Sequence, residues 1–349
     1  MATYRVGVIG CGRIGSTIDD EVQGNSSVIL PFSHTAAYVE EPRVEVVAAA
    51  DPVREKRDLY RRRWGVERVF ESHEELLERE SLDIVSVCTR AEERPEVVIA
   101  CAEAGVKVIF AEKPVAWSLG EAEAMLTACR RHGAKLGVGC LRRWHPFYRQ
   151  AKQLTDEGAI GTVLQVTGYC GSTLSHDGSH WVDLLRYFAS DAPVDWLVGE
   201  IGDPAALSDD RDRYGGNAYV AFQNGVRGYL RMMGTGAAVQ EWDIIGEHGR
   251  IRALDGGREF ELWRRAGGGR ADRPVREAFP RPQRLPSPTA GAVADMVACV
   301  ETDKEPDCNG EDGYAALEIA LAMRESFRRG CARIDFPFDD KELRLITPT

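Results

Sequence analysis

The chain has 349 residues, which is long enough for two domains, and its apolar and charged fractions of 44% and 28% are those of a globular protein. The 55 acidic and 44 basic residues give a net charge of −11, which argues against a nucleic-acid-binding protein because phosphate binding needs a basic face. No apolar run reaches the roughly 18 residues of a membrane span, so we expect neither a nucleic acid nor a membrane as partner.

The first predicted strand, "YRVGVIG", ends in the glycine-rich turn "GCGRIG". Gly10, Gly12 and Gly15 form the pattern G-x-G-x-x-G, with Arg13 and Ile14 between the second and third glycines. This pattern indicates a dinucleotide-binding turn when it closes a strand and opens an alternating series of elements, as it does here. The first glycine permits the turn, the second lets the backbone approach a pyrophosphate, and the third lets the next helix pack on the strand. We therefore predict that this turn binds a dinucleotide cofactor.

The second predicted strand, "VEVVAAAD", ends in Asp51, a residue type that accepts hydrogen bonds from an adenosine ribose. Asp51 follows Gly10 by 41 positions, where about 20 to 30 is expected, and we interpret residues 16–33 as an insertion that covers part of the cleft. A carboxylate repels a 2′-phosphate, so NAD is the expected cofactor. NADP remains an alternative because Arg54 follows closely. The alternative role of Asp51 is that of a plain turn residue.

Helix and strand patterns alternate up to residue 140 and predict a doubly wound parallel sheet. Ligands of such sheets lie at the carboxyl ends of the strands, where Thr89 ends "DIVSVCT", Glu112 ends "VKVIFAE" and Lys113 follows directly. The sequence thus predicts a Rossmann domain over residues 1–140, with these three residues at the cofactor. Lys113 is the candidate group for the proton of a hydride transfer. A surface lysine is the alternative, which Pro114 and the apolar flanks make weaker.

The second half of the chain contains a polar loop that leads into a predicted helix, "STLSHDGSHWVDLLRYF". His180 falls in the first turn of this helix, where the positive end of the helix dipole favours a neutral imidazole that can accept a proton. Asp183, one turn later, can reach the same face. The alternative role of His180 is that of a packed or capping residue. Apolar residues at helical spacing follow, at Trp181, Leu184, Leu185 and Phe188.

The remaining segments predict an antiparallel sheet and a final helix. Asn224-Gly225 is a hairpin signal between two strand patterns. Short strands with glycine turns follow in "EWDIIGEHGRIRALDGGREFELWRR", and the last helix is predicted over about 311–330. The nine cysteines include no C-x-x-C pair, and no zinc-ligand spacing occurs. We therefore expect reduced thiols, no metal, and a cytoplasmic location, in agreement with an N-terminus that shows no secretory signal pattern.

Five motifs together resemble one family of oxidoreductases. G-x-G-x-x-G, "AADP", "AGVKVIFAEKP", "RRWHPFY" and "GSHWVDLLRYF" resemble the Gfo/Idh/MocA oxidoreductases, and the resemblance covers essentially the whole chain. It implies a Rossmann domain followed, over residues 141–349, by an α/β domain for substrate binding and oligomerisation with a large, mostly antiparallel open sheet. It also implies NAD(P)-dependent oxidation or reduction of a sugar, a polyol or a related compound.

The resemblance also implies roles for single residues. Lys113 matches the lysine beside the nicotinamide and the substrate, Glu112 matches a residue near the nicotinamide ribose, and His180 matches the helix histidine that serves as general base or acid. Many members carry D-x-G-x-H before this helix, whereas here His176 occupies the aspartate position and the carboxylate is shifted to Asp177. The candidate substrate-binding residues are His176, Asp177, Asp183, Arg143 and Trp144.

Two other functions stay open at this point. One is a redox-neutral sugar-transforming enzyme, in which tightly bound NAD oxidises the sugar transiently before an elimination. The other is an NAD-binding regulator without catalysis, against which the presence of both Lys113 and His180 speaks. In each case the expected partners are a carbohydrate-like small molecule and further copies of the chain. A large open sheet leaves a face to be covered, so we expect a homodimer or homotetramer.

Overall fold

The computed structural model describes residues 3–25, 28–233, 240–265 and 273–347. The strands are β1 (Tyr4–Ile9), β2 (Val44–Ala50), β3 (Val69–Phe70), β4 (Ile84–Val87), β5 (Val108–Ala111), β6 (Lys135–Val138), β7 (Val163–Tyr169), β8 (Val194–Ile201), β9 (Gly216–Phe222), β10 (Arg227–Arg231), β11 (Glu241–Gly246), β12 (Gly249–Leu254), β13 (Glu259–Arg265), β14 (Pro274–Glu277) and β15 (Ile334–Asp335). The α-helices are α1 (Ile18–Val22), α2 (His34–Glu40), α3 (Arg54–Trp64), α4 (His73–Arg79), α5 (Arg94–Glu103), α6 (Leu119–His132), α7 (Pro146–Asp156), α8 (Gly178–Phe188), α9 (Pro288–Thr302) and α10 (Gly310–Arg328).

The chain folds into two compact units. One consists of Met1–His145 with Pro286–Tyr314, and the other of Pro146–Leu285 with Ala315–Thr349. The first unit therefore includes residues 286–314, which lie beyond the single domain boundary expected at residue 140. The reason is that α9 packs against α2 and β5 of the first unit. The apolar pattern of a helix shows that it covers a core, but not which one.

The sheet of the first unit is parallel, with the strand order β3-β2-β1-β4-β5-β6. Its central strands β4 and β5 are buried along their whole length, as expected of strands covered by helices on both faces. The strand order runs in opposite directions from the adjacent strands β1 and β4, and ligands of doubly wound sheets bind at such a reversal. The predicted Rossmann sheet is confirmed.

The second unit contains a nine-stranded sheet in the order β14-β13-β12-β11-β7-β10-β9-β8-β15. Its neighbouring strands are antiparallel except for β7 and β10, which pair in parallel. The predicted turn at Asn224-Gly225 joins β9 to β10, and Gly225 has a positive φ of 90°. The predicted fold class is therefore confirmed. Among the described residues, no helix has both the length and the apolar character needed to cross a bilayer.

The segment predicted as an insertion interrupts the helix that follows the glycine turn. A π-helical turn, Arg13–Thr17, leads into the short α1, and the chain loops out before α2 begins. The carboxylate of Asp19 accepts hydrogen bonds from the backbone N–H groups of Phe32 (2.7 Å) and Ser33 (3.1 Å) and so closes the loop at its base. Ser33 then caps α2 by accepting a hydrogen bond from the N–H of Ala36.

Candidate active site

The glycine turn after β1 is shaped by close backbone contacts. A Cβ at Gly10, whose φ is 99°, would lie 2.8 Å from the carbonyl of Cys88, and one at Gly15 would lie 2.1 Å from the Gly10 oxygen. Both positions therefore require glycine. Gly12 differs, because the nearest atom to its Cβ position is Lys56 Nζ at 4.0 Å. The open space over Gly12 is the place where a pyrophosphate can approach the backbone.

Asp51 has the turn role that the sequence left open for it, and its ribose role stays a prediction. Its buried carboxylate accepts hydrogen bonds from the N–H groups of Cys11 (3.0 Å) and Val53 (2.9 Å), so it fixes the turns after β1 and β2. The same carboxylate lines the adjoining cavity, where each oxygen keeps a further lone pair for a ribose hydroxyl. Lys56 Nζ lies 4.0 Å from Asp51 Oδ2. Arg54, the cation named from the sequence, instead pairs with Asp58 at 3.7 Å.

A cavity of about 500 Å³ opens at the carboxyl ends of β1, β2 and β4. The hydroxyl of Thr89 in its wall is buried and has no hydrogen-bond partner among the described residues. Open glycine backbone, a ribose-type carboxylate and an unused buried hydroxyl are the features that a dinucleotide needs, so these residues fit NAD. The lining includes Gly10, Gly12, Asp51, Lys56, His73, Thr89 and Arg90.

Arg13 and Ile14 lie in the π-helical turn that follows Gly12. The exposed Arg13 guanidinium forms a bidentate ion pair with Glu21 of the inserted segment, with N–O distances of 2.6 to 2.9 Å. Asp20 of the same segment pairs with Arg63. The acidic residues of the insertion thus have partners within the protein, which leaves the approach to the glycine turn free of their charge.

Glu112 and Lys113 follow β5 at the same edge of the sheet. The carboxylate of Glu112 is nearly buried, and its Oε2 accepts a hydrogen bond from the Lys113 N–H at 3.2 Å. Burial by itself raises the pKa of Glu112, but the hydrogen bond and charge of His34, with the charges of Lys113 and Arg94, hold that pKa below its ordinary value. A carboxylate therefore stands beside the half-buried Lys113.

Arg94, which the sequence analysis did not single out, joins the segments that follow β4 and β5. Its guanidinium donates to the carbonyl oxygens of Thr89 and Pro114. Burial lowers the pKa of Arg94 to about 10, so the group is still charged at neutral pH. The sequence offered one signal, an arginine directly before a proline at the start of a helix, but no local pattern indicates its carbonyl partners 5 and 20 positions away.

The polar loop before α8 is held by a residue that sequence patterns did not reveal. The buried carboxylate of Asp212 accepts hydrogen bonds from the N–H groups of Leu174 (2.9 Å), Ser175 (2.8 Å) and His176 (2.7 Å). A Cβ at Gly178 would lie 2.4 Å from the Thr173 oxygen, so the loop is also tightly packed. An aspartate in a long loop carries no local signal for this role.

The second unit brings four of the predicted residues together in this loop and the start of α8. His180 lies in the first turn of α8, and its N–H donates to the Asp177 carbonyl at 3.2 Å. Asp177 is exposed, whereas His176 and His180 are half-buried and Asp183 is fully buried. Lys113 belongs to the first unit and His180 to the second.

Arg143 and Trp144, the other candidates for substrate binding, are packed inside the first unit. The Trp144 indole N–H donates to Asp295 Oδ2 at 3.2 Å, and the Arg143 guanidinium lies 3.4 Å from Asp312. Trp144 is 1% exposed and Arg143 is 3% exposed. Their contacts attach residues 286–314 to the rest of the first unit. Both side chains face protein groups, and a contact of either with the substrate stays a prediction.

A parallel sheet with this glycine turn, ribose-type carboxylate and strand-end lysine defines a dinucleotide-dependent oxidoreductase. Residues 4–140 match the NAD-binding Rossmann fold of the Gfo/Idh/MocA oxidoreductase family. The chain is 27% identical over 346 residues to a myo-inositol 2-dehydrogenase of Thermotoga maritima, with 92% of this chain and 96% of the relative covered. It is 25% identical over 351 residues to the scyllo-inositol 2-dehydrogenase (NAD(+)) of Bacillus subtilis, with 93% and 94% covered.

A solved structure of similar fold is the WlbA dehydrogenase of Bordetella pertussis in complex with NADH and UDP-GlcNAcA. It has a TM-score of 0.75 and 22% identity, with 97% of this chain and 100% of that chain covered. The family model covers residues 4–140 and these relatives cover more than 90% of the chain, so the comparisons confirm the resemblance to the Gfo/Idh/MocA oxidoreductases noted in its motifs.

Proposed function

We propose that the protein is an NAD-dependent dehydrogenase that acts on a hydroxyl group, or the corresponding ketone, of a sugar, a polyol or a related compound. The family match and the inositol dehydrogenases among its relatives support this reaction class. The observation that carries the proposal is the cavity over Gly12, bounded by Asp51 and the unused Thr89 hydroxyl. That combination suits a dinucleotide.

The cofactor, when bound, accepts or supplies the hydride, and the protein handles the proton. In oxidation the substrate hydroxyl loses its proton to His180 as general base, and in reduction His180 returns it. The ammonium group of Lys113 stabilises the negative charge that develops on the substrate oxygen. His176 and Asp177, on the loop held by Asp212, are proposed to contact the sugar hydroxyls. The buried Asp183 is proposed to support α8 below them.

NAD is the preferred cofactor in this proposal. The Asp51 carboxylate would repel a 2′-phosphate, and Lys56 offsets that repulsion only in part because it already lies beside the carboxylate. We expect NADH to bind more tightly than NADPH when both are titrated by fluorescence. Tighter binding of NADPH would overturn the assignment and identify Lys56 as a 2′-phosphate ligand.

A time course with a panel of sugars and polyols tests the reaction itself. A dehydrogenase forms NADH in step with the oxidised product. Product without net NADH would instead indicate the redox-neutral enzyme with tightly bound NAD. A protein that binds NAD but turns over no member of a broad panel would indicate the non-catalytic regulator.

The proposal includes an assembly of identical chains in the cytoplasm. The nine cysteines are all free thiols, which suits a reducing compartment. One face of the second sheet is covered by its own helices, because Gly228 packs against Leu185 of α8 and Gly199 against Met323 of α10. The opposite face carries tyrosines that are 38% to 46% exposed, and we propose that a second copy covers them.

A further inference from the structure

A continuous row of four buried side chains runs inward from the end of β5. Glu112 Oε1 lies 3.2 Å from His34 Nε2, and His34 Nδ1 lies 2.9 Å from the Ser86 hydroxyl. The Ser86 hydroxyl in turn lies 3.0 Å from the hydroxyl of Tyr38. His34, Ser86 and Tyr38 are at most 1% exposed. Both nitrogens of one imidazole are thus engaged, one of them by the carboxylate at the cofactor edge.

The fold fixes this imidazole from several sides. The His34 ring stacks on Phe110 of β5 with a centroid distance of 4.4 Å. The next residue, Thr35, donates to the Gly15 carbonyl at 2.6 Å and so ties α2 to the glycine turn. The Asp19 clasp, which consists of the hydrogen bonds from the Phe32 and Ser33 N–H groups to the Asp19 carboxylate, holds the chain directly before α2. His34 therefore has little freedom to move away from Glu112.

The charges around the pair favour an imidazolium next to a carboxylate. Burial by itself lowers the pKa of His34, but its neighbours Cys88 and Glu112 raise it to about 10. Burial raises the pKa of Tyr38, so its hydroxyl keeps its proton at neutral pH. The other charged groups that act on the pair are Lys113 and Arg94, both on the Glu112 side. A cation thus stands behind Glu112, on the side away from solvent.

We propose that His34 is a positioning residue, which holds Glu112 as an oriented carboxylate at the end of β5 and thereby fixes the Lys113 backbone for cofactor binding. The proposal rests on the proposed function in one respect, namely that Glu112 faces the nicotinamide half of NAD. It adds that α2, which follows the inserted segment directly, contributes to the active site through a residue that acts by way of Glu112.

Removal of the His34 imidazole should make cofactor binding depend on pH. Without its buried cation, Glu112 keeps the burial that raises its pKa and loses the largest opposing interactions. The pKa of Glu112 is then higher than in the wild type, so the carboxylate becomes protonated at a higher pH, and a neutral carboxyl is the weaker acceptor for a ribose hydroxyl. Cofactor binding of such a variant should weaken toward acid, whereas that of the wild type should not.

The test is the dissociation constant of NADH for His34→Leu, measured by fluorescence across the neutral range. We expect binding by the variant to weaken as the pH falls, by up to about tenfold for each pH unit below the pKa of Glu112, and binding by the wild type to vary by less than about twofold. In the double variant His34→Leu/Glu112→Gln the pH dependence should vanish. Glu112→Gln alone should weaken binding equally at every pH.

Tyr60→Phe is the matched control. It removes a buried hydroxyl that lies 2.7 Å from Thr35 on the same helix, so it loses a comparable internal hydrogen bond without touching Glu112. Its NADH binding should stay independent of pH. A His34→Leu profile parallel to that of wild type would overturn the inference, whereas a wild type that binds no NAD at all would instead overturn the proposed function.

A second measurement covers the case in which His34→Leu does not fold. The ring-nitrogen chemical shifts of the seven histidines, with His34 assigned by its loss in His34→Gln, report the charge of the imidazole in the wild-type protein. We expect a cationic His34 at neutral pH and a neutral one in Glu112→Gln. A neutral His34 in the wild type would contradict the proposal.

Discussion

Glu112 and Lys113 are neighbours in the chain, yet the structure gives their side chains different tasks. His34 and the Lys113 N–H each contact one oxygen of Glu112, so these two contacts hold its carboxylate in place. Lys113 is only half-buried. Its backbone is held by Glu112 on one side and, through the Pro114 carbonyl, by Arg94 on the other. This arrangement suits a carboxylate that orients and a lysine whose charge meets a substrate.

Replacement of Lys113 by alanine should therefore damage turnover more than cofactor binding. Loss of a charge that stabilises a developing oxyanion typically costs about 3 to 4 kcal/mol, or roughly a hundred- to thousandfold in kcat. His180→Ala removes the proton acceptor and should cost roughly a hundredfold. The measurement is kcat on the substrate found in the panel, together with the NAD dissociation constant, which should stay near that of wild type.

Lys107→Ala is the control for Lys113, because Lys107 precedes the same strand and pairs with Asp83 at 2.8 Å on the surface. Its kcat should be unchanged. If Lys113→Ala kept more than about a third of wild-type turnover, the lysine would have no electrostatic role of the size expected.

At the scale of elements, the inserted segment acts through the clasp at its base. Two backbone N–H groups converge on the Asp19 carboxylate just before α2, and α2 carries both His34 and Thr35. The neighbouring Asp20 also has a partner, Arg63, but that ion pair lies on the surface. Asp19 therefore holds the start of α2, whereas Asp20 forms an ion pair on the surface.

Asp19→Ala should destabilise the protein by about 2 kcal/mol, since hydrogen bonds to a charged group are worth about 1.5 to 3 kcal/mol. It should also raise the NADH dissociation constant, because α2 loses the constraint at its start. Asp20→Ala should leave the free energy of unfolding nearly unchanged, because a surface ion pair contributes little. Urea denaturation and NADH titration of both variants measure this, and equal effects of the two would refute a special role for the clasp.

At the scale of the whole molecule, the face of the second sheet that bears exposed tyrosines is the surface that we propose a second copy covers. Trp196, Tyr219 and Tyr229 form a row across β8, β9 and β10, with ring centroids 5.2 and 5.0 Å apart. Tyr169 of β7 lies on the same face, since its neighbour in β10, Arg231, is two residues from Tyr229. Aromatic residues in such a row are well suited to bury against an identical face.

Tyr229→Arg should therefore shift the protein toward the monomer. A charge placed in an aromatic face that is buried between two copies is desolvated without a partner. Light scattering at micromolar concentration should give a multiple of 38.6 kDa for the wild type and a smaller mass for the variant. Leu59→Arg, an exposed apolar residue on α3, should leave the mass unchanged. A wild-type mass of one chain would refute the proposed assembly.

The sequence by itself determined the features that depend on short-range patterns. The glycine turn requires glycine at two of its three positions, because a Cβ at Gly10 or Gly15 would collide with backbone, whereas Gly12 leaves the backbone open to a ligand. The alternation of strands and helices predicted the parallel sheet, and the Asn-Gly turn predicted the β9–β10 hairpin. The placement of His180 in the first turn of α8 also followed from local apolar periodicity.

Only the tertiary structure decided which distant side chains meet. His34 contacts Glu112 across 78 positions, and Asp212 holds a loop more than 30 positions before it. Arg143 and Trp144 are enclosed by a segment that returns to the first unit late in the chain. Local patterns determine which face of an element is apolar, but the partner of a buried polar group depends on long-range packing, which no short window of sequence contains.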